Sequence, residues 1–497
     1  MIQRYWPSIL ASILVLIGFG IRIYLPDSTG EEGRYASAAW QMYIQHEWLI
    51  PRISGAIYLD KPPLFYWLMI IGWHITEGIE WPLLIPVLFA MAMFFLTQRL
   101  ASVLYPKHPR IAQLAPLILL GMPYAVMHFW LVRLDMQLAF FALLSCYVLC
   151  AQQTRWSFWL FTFANTLGVL AKGPVVYLFT IPEIILFAWF HQEQKSFVLR
   201  YVGAILLSLV LCLAWLVPLV VALGKQTLHT IFIDQLYNRT TGAQGGSKPA
   251  WYYLPIILQM FVPFLLYAGF WRKKSTSKMD YFLLVGIAIP CIVFSLMHSK
   301  QERYLLPLMP LVAIYIASRV EGCSIKSHRV IGVLCLLLGI IAMLLLHYAT
   351  HLPVVYRQYF PYQLLLVWLV GGVFLLVRRK QGWLCLCLVS FLMVTVASFG
   401  YVYAIAQVRP TEAIAKRIHD LQEHGVEVVS TTHIVESMPY VGRWRVPVKE
   451  YLSGVEEWGH QAAWVLSIQP YVFPVGKNCE VYAYTYLSAN AVLCFLR

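Results

Sequence analysis

Residues 201–223 read YVGAILLSLVLCLAWLVPLVVAL, a run without one charged side chain, entered from Lys195 and Arg200 and left through Gly224 and Lys225. As a helix it would be about 34 Å long, enough to cross a hydrocarbon core of about 30 Å. Working outward, comparable windows recur near 6–25, 79–98, 111–129, 134–151, 156–171, 174–190, 251–270, 281–298, 304–318, 329–347, 361–377 and 382–405, so the sequence predicts about thirteen transmembrane helices. The whole chain of 497 residues is 60% hydrophobic and 12% charged, with a mean hydropathy of +0.67. That composition excludes a soluble enzyme. Net charge is +14; in such a chain it points to cytoplasmic loops and anionic lipid headgroups, and no nucleic acid partner is implied.

With the N-terminus in the cytoplasm, the inner loops carry Arg4; Arg99, Lys107 and Arg110; Arg155; Lys195 and Arg200; Arg272, Lys273, Lys274 and Lys278; Arg319, Lys326 and Arg329; and Arg378, Arg379 and Lys380, with few acids. The outer loops are longer and hold more of the carboxylates, which fits the positive-inside rule. The first span ends in Arg22, Tyr24 and Pro26 without a small-residue cleavage site, so it reads as a retained helix. The outer loops with room for chemistry are 26–78, 224–250 and the tail from about 406. The domains expected are therefore a transmembrane part, 1–405, with an outer loop at 26–78, and a small extracytoplasmic α/β domain, 406–497. In that tail Thr411 can cap a helix through His424 with Ala413, Ile414, Ile418 and Leu421 on one face, Gly425 stops it, and strand-like runs follow at 426–429, 463–468, 481–487 and 491–496. Cys479 and Cys494 fall in neighbouring strand-like runs and are candidates for a disulfide in an oxidising compartment.

The first outer loop is dense in reactive groups: Asp27, Glu31, Glu32, Arg34 and Tyr35, then Arg52, Asp60, Lys61, Pro62, Pro63 and Tyr66. Tyr35, Ala38, Ala39, Met42 and Tyr43 recur at helical spacing, giving an amphipathic helix suited to the headgroup plane. Glu31 and Glu32 would sit at its N-terminus, where carboxylates are favoured; capping and chemistry both remain open. Lys61, stiffened by two prolines, is either a phosphate ligand or a residue snorkelling to headgroups. Asp135 enters one helix and Lys172, in Lys-Gly-Pro, opens another from the same side; each is a boundary residue or a site residue. Arg239, Lys300, Glu302, Arg303 and Tyr304 gather on that outer face too. Glu183 is the acid nearest mid-membrane, where a proton path, or a carboxyl hydrogen-bonded to a neighbouring helix, would explain it.

Three ordered sub-motifs of this loop, Glu31-Glu32-Gly33-Arg34-Tyr35-Ala36, Trp48-Leu49-Ile50-Pro51-Arg52-Ile53-Ser54-Gly55 and Tyr58-Leu59-Asp60-Lys61-Pro62-Pro63-Leu64-Phe65-Tyr66-Trp67, resemble the lipid-carrier-dependent glycosyltransferases of the GT-C superfamily. The aminoarabinose lipid A transferases and bacterial protein-mannosyltransferase-like enzymes are the nearest in kind. Leu134-Asp135-Met136, Ala171-Lys172-Gly173-Pro174, Trp251-Tyr252-Tyr253-Leu254-Pro255 and Lys300 with Tyr304 extend the resemblance over roughly residues 5–320. It implies a periplasmic-face site that takes a sugar, such as 4-amino-4-deoxy-L-arabinose, from a polyprenyl (undecaprenyl) phosphate and gives it to lipid A or another glycolipid or glycan, in the inner membrane. Motif by motif, the catalytic acid falls on Glu31, with Glu32 and Asp135 as further carboxylates. Lipid-phosphate ligands fall on Lys61, Arg239, Lys172 and Tyr304, with Arg34 alongside.

Glu31 stands where the family has Asp, which lengthens the side chain by about 1.5 Å. Where relatives carry Glu and His suggestive of a metal pair, this chain has Asp60 and Asp234; no cofactor is firmly implied, and these two are the candidates for a divalent ion. The residues fit the chemistry on their own terms. A departing phosphate needs cations, which Lys61 and Arg239 can supply, and an acceptor hydroxyl needs one base, which Glu31 or Asp135 can supply. A transporter or flippase is the alternative, motivated by the many helices and Glu183, though the repeats and broken helices of transporters are not evident.

Overall fold

Each of these apolar windows contains helix in the computed structural model, which describes residues 2–25, 30–53, 55–77, 80–151, 156–193, 195–237, 248–261, 264, 266–267, 277–323, 325–348, 361–377, 382–408, 411–430, 440, 443, 449–450, 463–468, 479–484 and 489–496. Among the described residues seven helices are long and apolar enough to cross a membrane: Gln3–Arg22, Trp81–Leu104, Pro174–His191, Lys195–Leu223, Lys278–Leu296, Glu302–Glu321 and Trp383–Gly400. The chain is a polytopic α-helical membrane protein.

Three windows differ in detail. The run at 111–129 is broken into Pro109–Gly121 and Pro123–His128 because Met122, which precedes a proline, is extended at φ −71° and ψ 118°. The run at 304–318 begins as a 3-10 helix, Glu302–Leu308, and becomes α-helical at Met309, since Pro307 and Pro310 each withhold an amide donor. Lys172 does not open the following helix; it is the last residue of α8 (Ser157–Lys172). Gly173 at φ +88° then ends that helix and Pro174 begins the next, so Lys-Gly-Pro reads as last turn, cap and first turn.

The chain divides into two compact units, the first comprising Met1–Ile21, Asp60–Leu64 and Leu83–Ser398. There α1 (Ile2–Arg22) is tied to α4 (Trp81–Leu104) by Ser8 Oγ donating to Gln98 Oε1 at 2.6 Å and Gln98 Nε2 donating to the Arg4 carbonyl at 2.6 Å. Trp130 is buried, donating to the Val15 carbonyl at 3.2 Å. Gly18 is required beneath it, because a Cβ there would lie 2.4 Å from the indole. α7 (Asp135–Ala151) packs on α8, where Asn165 Nδ2 donates to Ser145 Oγ at 3.1 Å and Thr180 Oγ1 donates to Asn165 Oδ1 at 3.1 Å. Such small polar links join helices in a setting where apolar contact alone gives little preference over lipid.

The second unit comprises Arg22–Leu59, Phe65–Pro82 and Phe399–Arg497. It contains α2 (Gly30–Ile44), the hairpin of β1 (Arg52–Ile53) and β2 (Ala56–Ile57), and most of α3 (Leu64–Ile75). Gly55 at φ +83° supplies the turn. The stripe on α2 is not laid open to headgroups: Tyr35, Ala38, Ala39 and Met42 are buried, Tyr35 against Phe65, and Trp40 meets Trp73 edge-on at 5.4 Å. Burying these rings against protein removes more apolar surface from water than a headgroup layer would. In the tail, Thr411–Glu423 is the expected helix, ended by Gly425 at φ +72°, with Ile414, Ala415, Ile418 and Leu421 buried; Ala413 lies on the exposed side. A five-stranded sheet follows in the order β4-β3-β5-β7-β6, formed by β3 (Val428–Ser430), β4 (Lys449–Glu450), β5 (Ala463–Ile468), β6 (Cys479–Tyr484) and β7 (Ala489–Leu496). β3 pairs in parallel with β4 and β5, and β7 pairs antiparallel with β5 and β6. Cys479 and Cys494 are direct register partners.

Candidate functional site

Asp135 is the first residue of α7, where exposed backbone amides favour a carboxylate, and Lys172 is the last of α8, where exposed carbonyls favour a cation. Because α7 and α8 pack as neighbours, residues 37 positions apart meet: Lys172 Nζ donates to Asp135 Oδ1 in an ion pair whose side chains are only 9% and 4% exposed. Beyond the ammonium stands Tyr304, its ring centre 5.2 Å from Lys172 Nζ. Tyr304 belongs to the 3-10 helix that packs on α7, where its amide donates to the Gln301 carbonyl at 3.2 Å and its ring lies 5.3 Å from Phe294. The segment leading to it is held by a reciprocal pair of lysines. Lys248 Nζ donates to the Lys300 carbonyl and Lys300 Nζ to the Lys248 carbonyl, each at 2.9 Å.

The structure thus brings together three of the residues singled out from sequence, Asp135, Lys172 and Tyr304, in the first unit. Asp60 and Lys61 belong to the same unit; Lys61 is half-buried and its Nζ donates to the Asp60 carbonyl at 2.9 Å, immediately before the two prolines. Glu31, Glu32 and Arg34 lie in the second unit. The two acids occupy the first turn of α2, with their side chains outside the described residues, and the Arg34 guanidinium sits 6.0 Å from the ring centre of Tyr58. At the other end of α2 Tyr43 donates to Glu77 Oε1 at 2.6 Å, and that bond holds the phenol above its ordinary pKa. Asp27 and Arg239 lie outside the described residues, as does the side chain of Asp234, whose backbone is in the π-helix His229–Tyr237. Among the described residues no three His, Cys, Asp or Glu side chains gather as metal ligands.

Sequence reasoning missed His128 as a neighbour of Asp135. It is buried, its Nδ1 lies 2.9 Å from the Tyr124 carbonyl, and its Nε2 has no partner among the described residues. Arg303 and His128 lie within electrostatic reach of the Asp135 carboxylate, and Arg133 within reach of Lys172 and His128. Arg133, two residues before Asp135, was a visible signal for a basic surround; His128 stood in an apolar run that gave none. A buried carboxylate bridged to an ammonium, beside a tyrosine and two arginines, can orient hydroxyls with its oxygens and hold an anion with the cations around it.

The sequence profile described as dolichyl-phosphate-mannose-protein mannosyltransferase matches residues 60–221. The chain is 26% identical over 414 residues to undecaprenyl phosphate-alpha-4-amino-4-deoxy-L-arabinose arabinosyl transferase 1 of Pseudomonas fluorescens, covering 77% of this chain and 74% of that protein. It is 25% identical over 424 residues to the transferase of the same name, numbered 2, from Proteus mirabilis, covering 79% and 73%. Among solved structures, ArnT from Cupriavidus metallidurans bound to undecaprenyl phosphate aligns with a TM-score of 0.81 at 18% identity, over 98% of this chain and 97% of that one. The Archaeoglobus fulgidus oligosaccharyltransferase aligns at 0.50 and 11% identity, over 93% and 69%. The resemblance read from the first outer loop therefore holds, and the likeness of fold runs over nearly the whole chain.

Proposed function

We propose, from this resemblance, that the chain is a lipid-carrier-dependent glycosyltransferase of the GT-C kind, moving a single sugar from a polyprenyl phosphate to lipid A or another envelope acceptor. The names of its relatives support undecaprenyl phosphate as carrier and 4-amino-4-deoxy-L-arabinose as the sugar. The observation that carries the reading is the buried Asp135–Lys172 pair with Tyr304 beside it, since a boundary pair without a task would stay in solvent reach.

In the reaction the bond between the anomeric carbon and the phosphate oxygen breaks, and a bond from that carbon to the acceptor hydroxyl oxygen forms. The phosphate leaves as an anion that needs cations and no proton; Lys61, Arg239 and Lys172 are the proposed ligands, and Tyr304 and Arg34 the further candidates. The acceptor proton passes to a carboxylate, for which Glu31 is proposed, with Glu32 and Asp135 orienting sugar or acceptor. Asp60 and Asp234 are the carboxylates to test for a divalent ion: loss of transfer on chelation, with recovery on adding Mn²⁺, would assign them. The finer placement belongs to this proposal too: thirteen spans in the inner membrane, the N-terminus cytoplasmic, and the tail from 406 in the periplasm. Mass spectrometry of lipid A and core oligosaccharide from a deletion strain tests it. One missing sugar mass, restored by the wild-type gene but not by Glu31→Gln, is the expected result; an unchanged profile, or rescue by both genes, would favour a transporter.

A further inference from the structure

At the opposite end of α1 and α4 from Asp135's loop, a cavity of about 780 Å³ is lined by Arg4, Tyr5, Arg99, Ser102, Pro106 and Tyr147. Arg4 and Arg99 approach the same ring: each guanidinium carbon lies 5.7 Å from the centre of Tyr5. This convergence is built. The Ser8–Gln98–Arg4 carbonyl chain staples the start of α1 to the last turns of α4, and Tyr5 packs on Phe95 at 6.2 Å, so the backbones that carry the two exposed arginines are held side by side. Arg99 leans on the phenols of Tyr147 and Tyr5, and neither arginine has a carboxylate partner among the described residues. Two like charges held around a cavity and supplied only with hydroxyls and ring faces have no carboxylate to neutralise them among the described residues, and so favour an anion.

We propose that this cavity binds the phosphate of an anionic glycerophospholipid. Guanidinium groups match a phosphodiester through paired donors, the Tyr147 hydroxyl adds to the polar lining while Ser102 Oγ donates to the Arg99 carbonyl at 2.8 Å, and basic pockets between helix ends are where such headgroups settle. The lipid source, as against free phosphate, follows from what adjoins the mouth. Trp6, Ile13, Leu16 and Ile17 are exposed along α1 at helical spacing, a stripe along which an acyl chain can lie. In the orientation proposed above, this end of the helices faces the cytoplasmic leaflet. The site shares no residue with the transfer chemistry, so either reading can fail alone.

The test is native mass spectrometry of the full-length protein released from detergent micelles carrying equimolar dimyristoylphosphatidylglycerol and dimyristoylphosphatidylcholine. Wild type is expected to carry one phosphatidylglycerol in preference to phosphatidylcholine by about tenfold. The Arg4→Gln/Arg99→Gln protein should lose that preference at least about fivefold. Ser102→Asp, which keeps both arginines and sets a negative charge in the cavity, should lose it as well. Thermal melting and sugar transfer are measured on each variant, and transfer is expected to stay within about twofold of wild type. Equal adducts of both lipids on wild type, or an undiminished preference in a variant that melts normally, would overturn the site. Complete displacement of phosphatidylglycerol by millimolar inorganic phosphate would overturn the lipid assignment.

Discussion

Two buried carboxylates lie at two levels of one helical unit and live in different surroundings. Asp135 opens α7 and meets Lys172, with Tyr304, Arg133 and Arg303 around the pair. Glu183 sits in the middle of α9 (Tyr177–His191) beside Cys146, which is about 16 Å further down α7 from Asp135 at 1.5 Å per residue. Among the described residues one Glu183 oxygen has no hydrogen-bond partner, and no lysine or arginine is paired with it. The same functional group is thus equipped for ionic chemistry at the helix end and given only a thiol in the span. Burial alone does not mark a site; burial with a cation and a second polar group does.

The largest expected effect separates the two levels by activity. Asp135→Asn should lower sugar transfer by about a thousandfold with purified protein and a polyprenyl-phosphate sugar, whether the carboxylate orients the acceptor or holds Lys172 for the phosphate. Transfer within tenfold of wild type would break the comparison at its first term. The same pair should also be costly to stability when halved: Asp135→Asn leaves a buried ammonium without its anion, for about 3 kcal/mol, whereas Asp135→Asn combined with Lys172→Met removes both charges and should recover most of it. Thermal or denaturant unfolding in detergent reads the stability, and activity should stay lost in the double variant. Recovery of both together would mean the pair is structural.

A smaller effect is expected at the ring. Tyr304→Leu removes the face 5.2 Å from the Lys172 ammonium and should cost about tenfold in transfer, while Tyr304→Phe keeps that face. A Phe variant as poor as the Leu variant would shift the role of Tyr304 from its ring to its hydroxyl, and steady-state kinetics on the donor separates the two.

The helices were readable in the sequence because hydropathy acts within a few residues, whereas Lys172, expected to open a helix, closes α8 instead. The pairing of Asp135 with Lys172 was not readable from spacing, since it depends on which helices become neighbours; both residues were singled out, but each by itself, as a boundary residue or a site residue. The first loop shows the same limit. Its stripe Tyr35, Ala38, Ala39 and Met42 was legible as amphipathic, yet α2 also meets Tyr440, whose amide donates to Ser37 Oγ at 3.1 Å across some 400 residues of chain. Tyr440 also meets Trp40 and Trp73, and its hydroxyl and Arg443 both reach Glu80. No local pattern announces such a partner. Lys61 and Tyr304 were singled out by their place in the outer loops and given phosphate roles by the family resemblance, whereas His128, on an apolar run, carried no signal before the fold placed it.

The smallest effect is the one that completes the contrast. Glu183→Gln keeps the shape of the side chain and removes a carboxyl that no cation meets, so transfer should stay within about twofold and the melting temperature should hold or rise. Reconstituted vesicles add the sharper reading: were Glu183 part of a proton or substrate path, the Gln variant would lose uptake or lipid scrambling that wild type shows, with sugar transfer untouched. A loss of transfer equal to that of Asp135→Asn would show instead that the two levels of α7 act as one site, and that a lone thiol neighbour is as much a functional surround as an ion pair.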